Sequence, residues 1–297
     1  MSQQIPENFA NSYANNFYET GQQTVARFRP AVEVVTGIIG QSKTVERAGK
    51  IDPQIITTRH GDTKYGEIPH SRRWIDLQDY GIAELVDELD QQKLLADPKS
   101  IYPRLLVQGM NRTQDDVIYA AGRGSARTNT GTTALAAAQK IAEGGTGLTL
   151  AKLLTAKEIL DAAEIAQVTD ESSMAMTGQA MVYDRTIAVS SKQLTNLYGT
   201  TEIKNIDYNT VKALAEGQIS TFLGFKFIRS ERLAKTGTTR FALAWVRQAI
   251  RLGIGKDVMT SIDIMPTKNY AWQVYARMSL GAVRVEDEGV IEIGCFE

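Results

Sequence analysis

The clearest pattern lies at the end of the chain. Val258, Thr260, Ile262 and Ile264 occupy alternate positions and so share one strand face. After the turn sequence P-T-K-N, Trp272, Val274, Ala276, Met278 and Leu280 share a face, opposed by Gln273, Tyr275, Arg277 and Ser279. At Gly281 the phase slips, and Val283 and Val285 carry the apolar face. A glycine with a phase slip predicts a bulge or bend inside one very long strand. GVIEIGCFE predicts a closing strand. Helical spacing appears earlier. Ile82, Leu85, Val86 and Leu89 predict a first helix. Tyr102, Leu106, Met110, Thr113, Val117 and Ala121 form the stripe of a longer one. Ser100 is its expected N-cap, Pro103 is tolerated in its first turn and Gly122 closes it. A further helix over 150–166 stacks Leu150, Leu153, Leu154 and Leu160.

The remaining segments are polar or mixed. Residues 1–30 are rich in Asn, Gln and Ser and read as an arm with little to bury. Residues 54–78 read as a β-hairpin. Ile55, Thr57 and Arg59 alternate with Ile56, Thr58 and His60, and Arg73 and Ile75 alternate with Arg72, Trp74 and Asp76 on the return. Such a polar hairpin is marginal alone and is expected to project onto a partner. Residues 123–149 read as loop, short helix, loop. A buried strand is expected over 181–190, a short helix at TVKALAEGQI and a strand at FLGFKFIRS; 238–252 is ambiguous between helix and strand. Strands and helices interleave without βαβ regularity, which is an α+β arrangement.

Composition narrows the function. The chain has 297 residues, 33 Lys and Arg against 34 Asp and Glu, and a net charge of −1. Strong electrostatic capture of nucleic acid needs a basic excess that is missing here. Cys295 is the single cysteine, so neither an intramolecular disulfide nor a cysteine zinc site is available, and folding in a reducing cytosol is expected. No apolar stretch has the length of a signal peptide core or a membrane span.

No catalytic constellation assembles. VEVVTGIIGQSKT loosely resembles a phosphate-binding loop, but Ser42 stands where Gly must precede Lys43, and the spacing from Gly37 is wrong. GGTG at 144–147, before a helix, could form an anion nest, but a lone glycine cluster reads in preference as a flexible loop. His60 and His70 lie near Asp62 and Glu67, short of a converging metal set; a pH-sensitive contact is a subsidiary expectation. The acids Asp87, Glu88, Asp90, Asp115 and Asp116 read as solvated or subunit-facing. Cys295 reads as packing, and Ser125 has no nucleophile context. No catalytic, cofactor or metal residue is therefore expected.

The segments IITTRHGDTKYGEIPHSRRWIDL, DPKSIYPRLLVQGMNRTQDDVIYAA, FLGFKFIRSERL and DVMTSIDIMPTKNYAWQVYARMSLGAVRVEDEGVIEIGCF, in that order, resemble the major capsid proteins of tailed bacteriophages. The resemblance spans nearly the whole chain. It implies the Hong Kong 97-type fold: an N-terminal arm at 1–39, an extension-loop hairpin at 54–78, a long spine helix over 98–122, a peripheral domain at 79–139 and 258–286, and an axial domain at 140–257 and 287–297. It further implies self-assembly through hexamers and pentamers into an icosahedral shell around double-stranded DNA, in the host bacterial cytoplasm. Contact with DNA would be weak and non-specific, and no membrane is involved. Portal, scaffold and decoration proteins are the implied partners. The sequence begins at the arm, so a separate scaffold, or none, is expected. The hairpin residues Arg59, His60, Asp62, Lys64, Glu67, Arg72 and Arg73 are the expected inter-subunit contacts. The competing readings are an encapsulin-like compartment, a P-loop-like NTPase and a tail-tube or adaptor protein.

Overall fold

A computed structural model describes residues 22–57, 59, 62–63, 65–86, 98–165, 184–199 and 221–297. In chain order the strands β1 (Glu33–Thr36), β2 (Ser42–Ala48), β3 (His70–Asp76) and β4 (Gln78–Val86) come first. Helix α1 (Pro98–Arg123) follows, then the short strands β5 (Ala126–Arg127), β6 (Thr132–Thr133) and β7 (Lys140–Ile141). Helix α2 (Leu150–Ala162), strand β8 (Arg185–Val189) and helix α3 (Ser191–Tyr198) lead to β9 (Thr221–Phe222), β10 (Phe225–Arg229), β11 (Lys235–Thr236) and β12 (Thr239–Val246). Three long strands close the chain: β13 (Ile250–Met265), β14 (Ala271–Arg284) and β15 (Val290–Phe296). This is the expected α+β mixture.

The chain divides into two compact units. The larger comprises Ala26–Gln78, Thr113–Lys256 and Ser279–Glu297. Its core is a sheet in the order β7-β15-β12-β8-β10-β9, with β11 attached to β12. All five residues of β8 are buried, as are Ala242–Val246 of β12 and residues 290–295 of β15. Strands covered on both faces read as continuous runs instead of alternations. That is why 238–252 defied periodicity: it holds β12, one short 3-10 turn and the start of β13. Helix α2 lies against β15 and buries Leu153, Ala156 and Leu160, whereas Leu154 is exposed. Helix α3 starts at a capping box, in which the Gln193 amide donates to Ser190 Oγ at 3.2 Å and the Ser190 amide donates to Gln193 Oε1 at 2.9 Å.

Residues 26–36 belong to this core, although the arm was expected to run to residue 39. The amides of Arg27 and Phe28 donate to the Asp115 carboxylate at 3.0 and 2.9 Å. Phe28 meets Trp245 edge-on at 5.6 Å, and Trp245 Nε1 donates to the Ala31 carbonyl at 2.9 Å. Strand β1 then pairs in parallel with β13, from Glu33↔Arg251 to Thr36↔Ile254. The rest of the arm, residues 1–21, lies outside the described residues.

In the smaller unit the strands follow the order β13, β14, β4. Here the expected helix around Ile82 is instead the strand β4, because edge pairing with β14 outweighs a short run of helical spacing. Leu89 lies outside the described residues. Helix α1 begins at Pro98, two residues before the expected cap. Leu106 and Met110 are buried as expected, but the stripe then continues through Gln114 and Ile118 instead of Thr113 and Val117. On β14, Val274, Ala276, Met278 and Leu280 are all buried, as the alternation predicts. The phase slip at Gly281 has a local cause: a Cβ there would collide with the Asp76 carbonyl oxygen.

Candidate subunit interface

The strand that pairs with the return strand lies outside the expected 54–78, at Ser42–Ala48. Strand β3 pairs antiparallel with β2, from Ser42↔Asp76 to Ala48↔His70. The ladder ends where the Gly49 amide donates to the Pro69 carbonyl at 2.7 Å. Beyond it, the described residues between 50 and 69 form no regular strand. The register also removes the phosphate-loop reading. Lys43 sits in a strand opposite Ile75, where a nucleotide-binding loop requires a helix start.

The root of the hairpin is built into its own subunit. Val45 and Ile75 join Ala126, Val283 and Val285 in one buried cluster. Arg73, 6% exposed, donates from Nη2 to Asp287 Oδ2 at 2.7 Å. Arg284, fully buried, donates from Nε to Asp287 Oδ1 at 2.7 Å. Its two terminal nitrogens reach the carbonyls of Gly122 and Gly124 at 3.0 and 2.5 Å and of Thr133 at 3.0 Å. Arg284 thus satisfies carbonyls that the end of α1 leaves open. Arg72, on the other face, bonds Glu46 at 2.6 Å, and Arg127 bonds Asp76 at 2.6 Å.

Past the ladder the chemistry changes. Arg59, Asp62 and Glu67 are exposed, while His60 and Lys64 lie outside the described residues. Apolar side chains stand out to solvent beside them: Ile55 is 81% exposed, Ile56 87% and Tyr65 88%. None of these three is among the contacts expected from the sequence. The available signal was two adjacent isoleucines in a segment otherwise polar and rich in turn residues.

The other candidate sites dissolve into internal contacts. Around GGTG the carbonyls, not the amides, converge: those of Glu143, Thr146, Gly147 and Gly294 accept from Lys152 Nζ at 2.6, 2.8, 3.1 and 2.9 Å. The loop holds a cation of its own chain, which is the reverse of an anion nest. Burial lowers the Lys152 pKa and pushes the neighbouring Cys295 thiol up to about 11, leaving it protonated and inert at neutral pH. An open cleft of about 750 Å³ is lined by Asp116, Tyr119, Arg123, Lys140, Arg232 and Glu292. Arg232 is paired with Asp116, Arg123 with Glu292, and the Tyr119 hydroxyl donates to the Phe241 carbonyl at 2.8 Å. Among the described residues no group of three His, Cys, Asp or Glu is placed to hold a metal ion, and no helix is long and apolar enough to cross a membrane.

No curated protein matches this sequence. Solved structures do match in fold. The capsid of cyanophage P-SCSP1u is 16% identical and superposes with a TM-score of 0.69 over 98% of this chain and 94% of that one. The capsid of cyanophage Pam1 is 12% identical, with a TM-score of 0.73 over 98% and 97%. The capsid of Helicobacter pylori bacteriophage KHP30 is 13% identical, with a TM-score of 0.71 over 99% and 98%. The fold is therefore the Hong Kong 97-type capsid fold. The family model for phage capsid proteins matches residues 5–297, and the chain belongs to that family as a structural subunit of a phage capsid.

Proposed function

We propose that this capsid protein is the repeating major subunit of an icosahedral phage head, and that the loop between β2 and β3 is the contact it extends to a neighbouring copy. The observation that carries the reading is the hairpin's asymmetry. A root buried in its own subunit presents a loop whose Ile55, Ile56 and Tyr65 are largely exposed. Apolar groups this exposed are stabilised by association at roughly 25 cal/mol per Å² buried, before ordering costs. Arg59, Asp62 and Glu67 flank them and supply register to the contact, with His60 and Lys64 assigned by position. Arg73 is bonded inside its own chain and holds the hairpin, while Arg72, paired with Glu46 at the surface, stays among the proposed contact residues.

In this reading hexamers and pentamers close around double-stranded DNA with which the near-neutral chain makes weak contact, and portal, scaffold and decoration proteins join in the host cytoplasm. The smaller unit, Asp79–Arg112 with Asp257–Met278, takes the peripheral role within the wider 79–139 and 258–286. The residues 140–257 and 287–297 take the axial role. The test replaces Ile55, Ile56 and Tyr65 together by Ser in the full chain and images the product by negative-stain electron microscopy. Soluble, folded subunits without shells are expected. Wild-type shells would remove the loop from the mechanism.

A further inference from the structure

The root of the hairpin brings together an unusual charge set. Arg73 of β3 faces Asp287 at 2.7 Å. The neighbouring charges Arg47, on β2, and Arg284, at the end of β14, are both positive and act against its charged form. Burial and these two positive neighbours act against the Arg73 charge, while the Asp287 carboxylate stands between Arg73 and the fully buried guanidinium of Arg284. Burial weakens screening, so like charges here repel more strongly than on the surface. Apolar packing by Val45 and Ile75 draws the hairpin down onto Val283 and Val285, while the arginines oppose that approach.

Asp287 resolves the conflict through geometry. Each carboxylate oxygen takes one arginine: Oδ2 takes Arg73 Nη2 and Oδ1 takes Arg284 Nε. Arg284 is fixed in turn by the carbonyls of Gly122, Gly124 and Thr133. A planar carboxylate joined to two planar guanidinium groups restricts direction as well as distance. The bearing of β3 is thereby referred to the end of α1. We propose that Asp287 is the positioning residue of the contact hairpin: it sets the angle at which the loop after Ala48 leaves the body, and so the direction in which the subunit reaches its neighbour. This rests on the reading of the loop as an inter-subunit contact.

The role predicts a separation between stability and direction. Arg73→Met keeps an apolar stem opposite Val45 on the ladder and leaves Asp287 on Arg284, so the fold is expected to survive without the directional bond. Asp287→Asn keeps the shape and removes the charge that separates the arginines.

The experiment compares full-length wild-type, Arg73→Met, Asp287→Asn and the Ile55/Ile56/Tyr65→Ser chain. Hydrogen exchange is read on the unassembled subunit and particle diameter by electron microscopy. Expected for Arg73→Met and Asp287→Asn is exchange at 42–48 and 70–76 faster by about tenfold, with β12 and β15 unchanged. Their particles should be open or widely spread in diameter. Wild-type exchange at the ladder, or uniform wild-type shells, in Arg73→Met overturns the proposal. Should Asp287→Asn exchange faster throughout, it has lost the fold, and Arg73→Met alone decides. The loop variant separates the two ideas. If it forms no shells while Arg73→Met forms normal ones, the contact stands and the positioning role falls. If the loop variant forms normal shells, the contact reading falls, whatever the hairpin root does.

Discussion

At the root of the β2–β3 hairpin Val45 and Ile75 are buried and Arg73 is bound to Asp287; past the ladder Ile55, Ile56 and Tyr65 face solvent. The two regions invert the usual rule. Charge is inside, where it is paired and oriented, and apolar surface is outside, where it is left open. A monomer gains nothing from the second arrangement. A subunit that meets another copy there, as proposed, does, because surface exposed in the single chain would then be buried between copies.

The comparison can be broken at several points. Arg73→Glu has the largest expected effect, because it sets a buried carboxylate against Asp287: a loss of about 3–5 kcal/mol in urea denaturation. Stability close to wild type would mean that the root is not an internal ion pair. Arg284→Met should cost about 3 kcal/mol by the same measurement, since the carbonyls of Gly122, Gly124 and Thr133 lose their donor inside the protein. Lys152→Met should cost about 2 kcal/mol and increase proteolysis within 142–147, because four carbonyls lose a shared partner.

A pH series adds a smaller effect. The Cys295 thiol is raised to about 11 in the folded chain. Its contribution is fully present below the unfolded value of about 8.5 and is lost as pH rises toward 11. Lys152, lowered by burial, has the opposite sign. Comparing the alkaline slope of wild type with that of Cys295→Ala isolates the thiol, and equal slopes would remove it as a contributor. The least effect belongs to Arg72→Glu. The Arg72–Glu46 pair is exposed, so the melting temperature should move by less than about 1 kcal/mol equivalent. Reversing Arg72 and Arg73 together therefore tests folding before it tests assembly.

The sequence was legible where one face of an element is buried and the other is wet. The alternation of Val274, Ala276, Met278 and Leu280 and the early stripe of α1 are of that kind. It misled where polar groups are buried. Gln114 and Asp115 sit inside, so the buried stripe departs by one position from the apolar spacing along α1. It also misled where distant pairing decides. Nothing local in Lys43–Ala48 marks it as the partner of His70–Ile75, and Thr57–Arg59 alternates just as well. Of the candidate interface, the turn residues marked a loop in the sequence, but Arg73 and Asp287 are far apart in sequence and no spacing rule connects them.

The four carbonyls around Lys152 have the arrangement by which proteins dehydrate and hold a potassium ion, oxygen atoms alone surrounding one positive charge. Here the ion is tethered. A free cation leaves when the medium is diluted; a side chain does not. The turn at 143–147 therefore closes over a positive charge that travels with the polypeptide.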